Sequence, residues 1–588
     1  MNKYYTDEQN AQIVVALLKA HGIRKVVASP GTTNIPIAGS VQNDPFFEVY
    51  SAADERSAAY IACGIAHETG QPVVLSCTGA TASRNYLPAL TEAYYRKLPI
   101  IAITSTSSIM EVGHLLPQCI DRSVAPNDTA RVRATLPVVK DGADAWDCEI
   151  KTTNAILECQ RDGGGPVHLN LVTSYQGTFG SKELPPVRTI KRINRIADIP
   201  PVSAQTRVAI FLGSHKPYTS AESAALEAFV STHNAVVLCD HTSAYKGKGR
   251  LLSALACTQG LSKRPVYNDL TPELIIHLGE VSGDYPTMGF LAGTQAPVWR
   301  VSEDGELRDK FRRLQTVFEM READFFQHLL VGKTSTENKY LGSWKNYILE
   351  LRANYPELPY SNTWIAKELS ARFPQNSVLH FGILNSLRNW NYFEVDPSIQ
   401  TASNVGGFGI DGCVSALIGA SLANPKKLYF GVIGDLAFFY DLNSIGNRHL
   451  GKNLRLLLVN NGGGGEFKMS SHIGSRFEGR TDAYIAAAGH YGDKSPNLVR
   501  HIATDLGFRY ISASSKEEFE KAQSEFLDPA TTEKPILFEC FTDFADESKA
   551  LEIMESVDSS LSTRGIAVAA ATKLLPSGTF TALKRALR

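Results

Sequence analysis

The chain has almost no net charge: 59 Lys and Arg stand against 60 Asp and Glu, leaving -1 over 588 residues. Without a basic excess it has no electrostatic footprint for a phosphate backbone or an anionic membrane surface. Neither nucleic acid nor membrane is therefore an expected partner. Long apolar runs are missing too. The stretch IVVALLKAHGIRKVVASPG (13–31) is interrupted by charge too often to span a bilayer. A basic leader with an apolar core and a cleavage site is not present at the start, so a cytoplasmic protein is expected. The nine cysteines form no CxxC pair, which points to reduced, mostly buried thiols and away from zinc or a disulfide frame. No Gly-Lys-Ser/Thr follows the four glycines at 462–465, so a Walker phosphate loop is a poor match there. The glycines after Asp162 are read as a turn, and a dinucleotide fingerprint, which a nicotinamide or flavin enzyme would need, is not read.

What is present is a repeated rhythm. RKVVASPG, QPVVLSCTG, LPIIAITS and GPVHLNLV are short apolar runs, separated by amphipathic stretches of helix length. This is the βαβ pattern of a doubly wound parallel sheet. The same pattern resumes at RVAIFLGS and again at SVLHFGILNS. Three α/β domains in series are expected: 1–182, 203–335 and 358–555, then a C-terminal helical tail at 556–588. The Pro-rich stretch 182–205, with two Pro-Pro pairs, is read as a linker.

One unit carries the chemistry. LYFGVIGD ends on Gly434-Asp435, and 26 residues later NLRLLLVNN ends on Asn461, followed by Gly462–Gly465. Read as consecutive parallel strands with a crossover helix in FYDLNSIGNRHL, they bring Asp435 and Asn461 to one sheet edge, where such folds bind ligands. A carboxylate, an amide oxygen and a backbone carbonyl are hard donors suited to Mg²⁺ or Ca²⁺, not zinc. Mg²⁺ usually shares its shell with phosphate oxygens, and glycines allow the backbone to approach such a ligand closely. The bland alternative, a strand-end turn beside a glycine loop, explains either half but not their pairing.

This pairing resembles the signature of thiamine diphosphate enzymes, and GDLAFFYDLNS…NNGGG looks most like their MenD branch, the menaquinone-pathway carboligases. SPGTTNIPI (29–37), DERSAAYIACGIA (54–66), TGATASRNYLPALTEA (78–93), LPQCIDR (116–122) and SNVGGFGIDG (403–412) are similar to further motifs of that branch, in order. The resemblance implies pyrimidine-binding, central and diphosphate-binding domains, with thiamine diphosphate and Mg²⁺ as cofactors. Asp435, the Asn461 side chain and the Gly463 carbonyl would ligate the metal. Pro30 belongs to the first-domain cofactor loop. Ser386, Gly434, Leu436, Ala437, Gly464 and Phe467 would surround the diphosphate and thiazolium. Ile410 would be the wedge that bends the cofactor. Glu55, reaching from the neighbouring subunit, would face the pyrimidine N1′, and Gln118 would reach toward the reacting carbon. Active sites at a subunit interface imply a homodimer or homotetramer. His114 and His472 are candidate proton carriers.

The implied chemistry is decarboxylation of a 2-oxo acid and transfer of its acyl unit to a small-molecule acceptor. Release of an aldehyde, and a non-catalytic cofactor-binding relative, stay open as alternatives. The chain also departs from the branch. Thr33, Trp390 and Val405 stand where arginines that hold carboxylate substrates are expected, and the region around Thr106-Ser107 lacks another. None of these can replace a guanidinium fork. The menaquinone reaction itself is therefore not expected; Arg84, Arg388, Arg448, Lys468 and Arg476 remain as possible anion-holding groups elsewhere.

Overall fold

A computed structural model describes residues 4–558 apart from 108, 175–176, 262–264, 331–336, 470–471 and 531. The expected tail lies, from residue 559 onward, outside the described residues. The chain divides into two compact units, Met1–Asn194 with Asp304–Glu319, and Arg195–Glu303 with Met320–Arg588.

The first unit carries a parallel sheet of β1 (Lys25–Ala28), β2 (Glu48–Ser51), β3 (Val73–Thr78), β4 (Ile100–Thr106), β5 (Arg133–Leu136) and β6 (Val167–Val172). Its order is β2-β1-β3-β4-β6-β5. Successive side chains of one strand point to opposite faces. Val26, Val74, Ile101 and Ile103 accordingly join one core, with helices Gln9–Ala20 and Gly142–Glu158. Val27, Val73, Leu75, Ile100 and Ala102 join another, with helices Glu55–Thr69 and Leu87–Tyr95. Burial on both faces is why these strands read as unbroken apolar runs.

Seven more strands follow the first six: β7 (Lys191–Ile193), β8 (Val208–Leu212), β9 (Ala235–Cys239), β10 (Arg250–Leu252), β11 (Leu274–Leu278), β12 (Val298–Ser302) and β13 (Leu314–Glu319). β7 and β13 pair in parallel within the first unit. β7 falls inside the stretch read as a linker, which thus contains ordered strand. In the second unit, β8 to β12 run parallel in the order β10-β9-β8-β11-β12.

The third sheet comprises β14 (Val378–Phe381), β15 (Gln400–Ser403), β16 (Tyr429–Gly434), β17 (Leu454–Asn460), β18 (Arg509–Ala513) and β19 (Ile536–Phe541). It runs β15-β14-β16-β17-β19-β18, all parallel. This repeats the order of the first sheet strand for strand. In both, the chain turns one way after the first strand and the other way before the third. That reversal opens a crevice at the carboxyl ends of β1 and β3, and of β14 and β16.

Candidate active site

At the third-sheet crevice, Asp435 follows β16 directly and is the first residue of a short helix, Asp435–Tyr440. The helix begins at the aspartate itself, not further along in FYDLNS as expected, and a 3-10 turn (Leu442–Gly446) completes the crossover. One carboxylate oxygen of Asp435 accepts from its neighbour's N–H (Leu436, 2.7 Å). The other accepts from Gly462 N at 2.6 Å and Gly463 N at 2.9 Å. Asp435 is 5% exposed, and burial pushes its carboxyl up to about 6 against the pull of those N–H groups. A buried carboxylate without a cation is costly, and a cation is what this place favours.

The two asparagines at the end of β17 divide the work. Asn460 turns into the protein: its Nδ2 donates to Glu539 Oε1 (2.7 Å), and Tyr510 donates to the other Glu539 oxygen (2.7 Å). Asn461 leaves its amide oxygen buried with no hydrogen-bond partner among the described residues. Buried acceptors are almost always satisfied, so this orphaned oxygen, on a residue whose neighbours bond the buried Asp435 carboxylate, is a place a hard cation could fill.

The glycine turn is shaped by close approach. Gly462 has φ +87°, and a Cβ on Gly463 would lie 2.7 Å from the Ala486 carbonyl oxygen. Gly464 N donates to that same oxygen at 2.6 Å. The segment carrying it, with Ala487, Tyr491, Asp493 and Lys494 all at positive φ, lies against the turn. Tyr491 stacks on Phe439 at 4.3 Å, and Lys494 Nζ donates to Thr542 O at 3.0 Å. A space of about 10 Å³ remains between Asp435, Gly462, Gly463 and this segment. Nothing in the local sequence pattern around 486–494 signalled this packing.

The other expected residues of the second unit gather nearby or support the core. Ser386 is buried in helix Asn385–Trp390, which follows β14 across the switch point from Asp435. Gly434 closes β16, and Ala437, the residue after Leu436, is buried. Phe467 sits over Gly464, where a Cβ would meet its ring at 2.8 Å. Ile410 is half-buried against the core of the third sheet. The letters GFGIDG (407–412) do spell Gly-x-Gly-x-x-Gly before helix Cys413–Ala423. They follow the edge strand β15, though, and not a strand at the switch point, so they do not form a dinucleotide site. His472 is spent as a cap, its Nδ1 accepting from Gly474 N at 3.0 Å.

In the first unit, Asp54 caps helix Glu55–Thr69 by accepting from Arg56 N and Ser57 N. The helix end therefore does not need Glu55, which is half-buried with no hydrogen-bond partner among the described residues and is backed by the fully buried Ala58 and Ala59. At the first-sheet crevice, a Cβ on Gly31 would strike the Thr78 Cβ at 2.6 Å. Thr33 Oγ1 bonds Thr78 Oγ1 and donates to Ser105 O at 2.8 Å. Thr33, Thr78, Ser105 and Gln118 line a cavity of about 120 Å³. Gln118 is held at φ +63°, an uncommon conformation for a non-glycine residue. Pro30 is exposed beside β1, and His114 is exposed.

The positions that depart from the branch have structural uses. Trp390 is fully buried and donates to Asn362 Oδ1 at 3.1 Å, and Val405 is core. Arg388 is engaged by Glu466 at 2.6 Å and Asn385 at 2.9 Å, and Lys468 by Asp482. Neither is left to hold a substrate anion.

Both crevices belong to an enzyme that works through a diphosphate-bearing cofactor. Residues 9–125 match the family described as "Thiamine pyrophosphate enzyme, N-terminal TPP binding domain". Over 551 residues, 92% of this chain and 96% of the relative, it is 30% identical to the 2-succinyl-5-enolpyruvyl-6-hydroxy-3-cyclohexene-1-carboxylate synthase of Phocaeicola vulgatus. The synthases of Bacteroides fragilis and Bacteroides thetaiotaomicron are each 30% identical, over 93% of this chain and 98% of theirs. The chain belongs to this family: it is a thiamine diphosphate-dependent enzyme of the MenD-like branch. No described helix is long and apolar enough to cross a membrane.

Proposed function

We propose that the protein is a Mg²⁺- and thiamine diphosphate-dependent carboligase that decarboxylates a 2-oxo acid and transfers the acyl unit to an acceptor carbonyl or alkene. The observation that carries the reading is the buried Asp435 carboxylate beside the orphaned Asn461 oxygen at a switch point. A hard cation would satisfy both. On this reading Asp435, Asn461 and the Gly463 carbonyl would hold the metal. Ser386, Gly434, Leu436, Ala437, Gly464 and Phe467 would enclose the diphosphate, and Ile410 would be the wedge against the cofactor. Residues 1–182 serve as the pyrimidine-binding domain, 203–335 as the central domain and 358–555 as the diphosphate-binding domain.

When bound, thiamine diphosphate supplies the carbanion and the electron sink that the decarboxylation needs. Glu55 holds a proton at the pyrimidine N1′, a task helped by its lack of any competing partner. Pro30 borders the pyrimidine, and Gln118 orients the acceptor. The space of about 10 Å³ is one water's worth, so segment 486–494 shifts to admit a diphosphate.

Met110 (83% exposed), Leu115 (99%) and Val124 (89%) present apolar surface around the Gln118 loop, as expected of a face covered by a second copy. A cytoplasmic homodimer or homotetramer is the corresponding assembly. The relatives are named for a product bearing succinyl and carboxylate groups. Here Trp390 and Val405 are core and Thr33 is a neutral cavity wall, so the acceptor is a less anionic or bulkier molecule, such as a keto sugar or nucleotide sugar.

The test is product analysis with ¹³C-labelled pyruvate or 2-oxoglutarate, with and without acceptors. Labelled ligation products are expected. Aldehyde as the sole product across a broad acceptor panel would mean a simple 2-oxo-acid decarboxylase, and no turnover with cofactor bound would mean a non-catalytic relative.

A further inference from the structure

The first-unit cavity has an unusual balance of hydrogen-bonding groups. Glu111, in the turn Ile109–Glu111, lines it together with Thr33, Thr78, Ser107, Gln118 and Cys119. Its Oε2 accepts from Ser107 Oγ at 3.2 Å and from Cys119 Sγ at 3.4 Å, while Oε1 takes no hydrogen bond from a described residue. Thr33 donates inward to Ser105 O. The protons of Thr33, Thr78, Ser107 and Cys119 are thus spent on the protein, Ser105 Oγ is buried without a partner among the described residues, and the one carboxylate oxygen left open in the lining is Glu111 Oε1. No Lys or Arg is among the described lining residues. Arg122 lies close beneath Gly79, but its guanidinium is buried and engaged by Thr104 Oγ1 (2.7 Å) and Asn170 Oδ1.

A carboxyl with one open oxygen and no lining cation beside it suits hydroxyl donors and opposes carboxylates, which can only accept. We propose that Glu111 makes this cavity select an uncharged, hydroxyl-bearing carbonyl compound as the acceptor and reject one whose carbonyl carries an adjacent carboxylate. Glu111 Oε1 accepts a hydrogen bond from the substrate hydroxyl, and the Gln118 amide is left to meet its oxygens. This rests on the carboligase reading above and names the acceptor class for the same site. Two like charges about 6 Å apart near a protein surface correspond to a discrimination of about 100-fold.

The matched probes are glycolaldehyde and glyoxylate, which differ only in CH₂OH against COO⁻ beside the aldehyde. With labelled pyruvate or 2-oxoglutarate as donor, the native enzyme is expected to ligate glycolaldehyde with a kcat/KM about 100-fold above glyoxylate. In Glu111→Gln that ratio falls about tenfold or more, mainly through the acceptor KM, whereas Glu111→Asp retains it. Equal use of the two aldehydes by the native enzyme, ligation to neither while CO₂ is released, or an unchanged ratio in a folded Glu111→Gln would each overturn the proposal. CO₂ release by the native enzyme without acceptor is measured in parallel. Its absence across a panel of 2-oxo acids would instead bring down the carboligase reading, and this proposal with it.

Discussion

Replacing Asn461 by leucine separates what this site costs the protein from what it gains on loading. The Asn461 amide oxygen is buried without a partner, and an unsatisfied buried acceptor costs about 1–3 kcal/mol. Leucine has nearly the same shape and no polar atom. The cofactor-free variant should therefore be more stable than the native protein, by about 1 kcal/mol because the residue as a whole is only half-buried. Loading reverses the order. At a free concentration 100 times Kd, Mg²⁺ and thiamine diphosphate stabilise the native protein by about 2.7 kcal/mol, an increment the variant loses with its ligand atom. Urea unfolding followed by tryptophan fluorescence, with and without both cofactors, reads all four states. A variant that is less stable when cofactor-free, or that keeps the full cofactor increment, would show that the orphaned oxygen is not a metal position.

Glu55→Gln keeps the side chain's shape and removes its acid. Cofactor retention should stay near native while exchange of the thiazolium C2 proton slows by about 10²–10⁴-fold, followed by NMR; native exchange would refute the role of Glu55. Gly463→Ala places a Cβ 2.7 Å from the Ala486 oxygen, so turn and segment must part. At about 1–3 kcal/mol of overpacking, cofactor affinity should fall about tenfold or more by calorimetry, and native affinity would mean that the close approach is not needed. Glu547 is buried, accepts from Asn362 N at 2.9 Å, and burial pushes its carboxyl up to about 7. A raised carboxyl binds its proton more tightly in the folded protein, so stability declines as pH climbs from about 4.5 to about 7 and stays lower above. Glu547→Gln should match the native protein at pH 4.5 and exceed it by up to about 3 kcal/mol at pH 8 in urea titrations. A gap that does not open with pH would contradict the assignment.

The fold class was legible because the central strands of all three sheets are covered on both faces. Strands such as VVLSCT and LRLLLVN are buried along nearly their whole length, so burial itself wrote the unbroken apolar runs. Asp435 and the Asn-Asn pair could also be found, since strand ends of parallel neighbours must share one edge of the sheet. Local pattern went no further. It could not say that Asn460 turns inward to Glu539 while Asn461 keeps an unmatched oxygen, because that depends on a strand 79 residues away. Nor could it show that Asp54, and not Glu55, caps its helix, or that Trp390 and Val405 are core. Arg388 and Lys468 looked available as letters and are engaged in the fold. Glu111 drew no notice, since one glutamate in a polar turn carries no pattern; the cavity alone shows what it faces. Alternation and strand ends are set by the backbone and can be read along the chain. Which polar atom finds a partner is set by packing between distant segments, and only the folded molecule decides it.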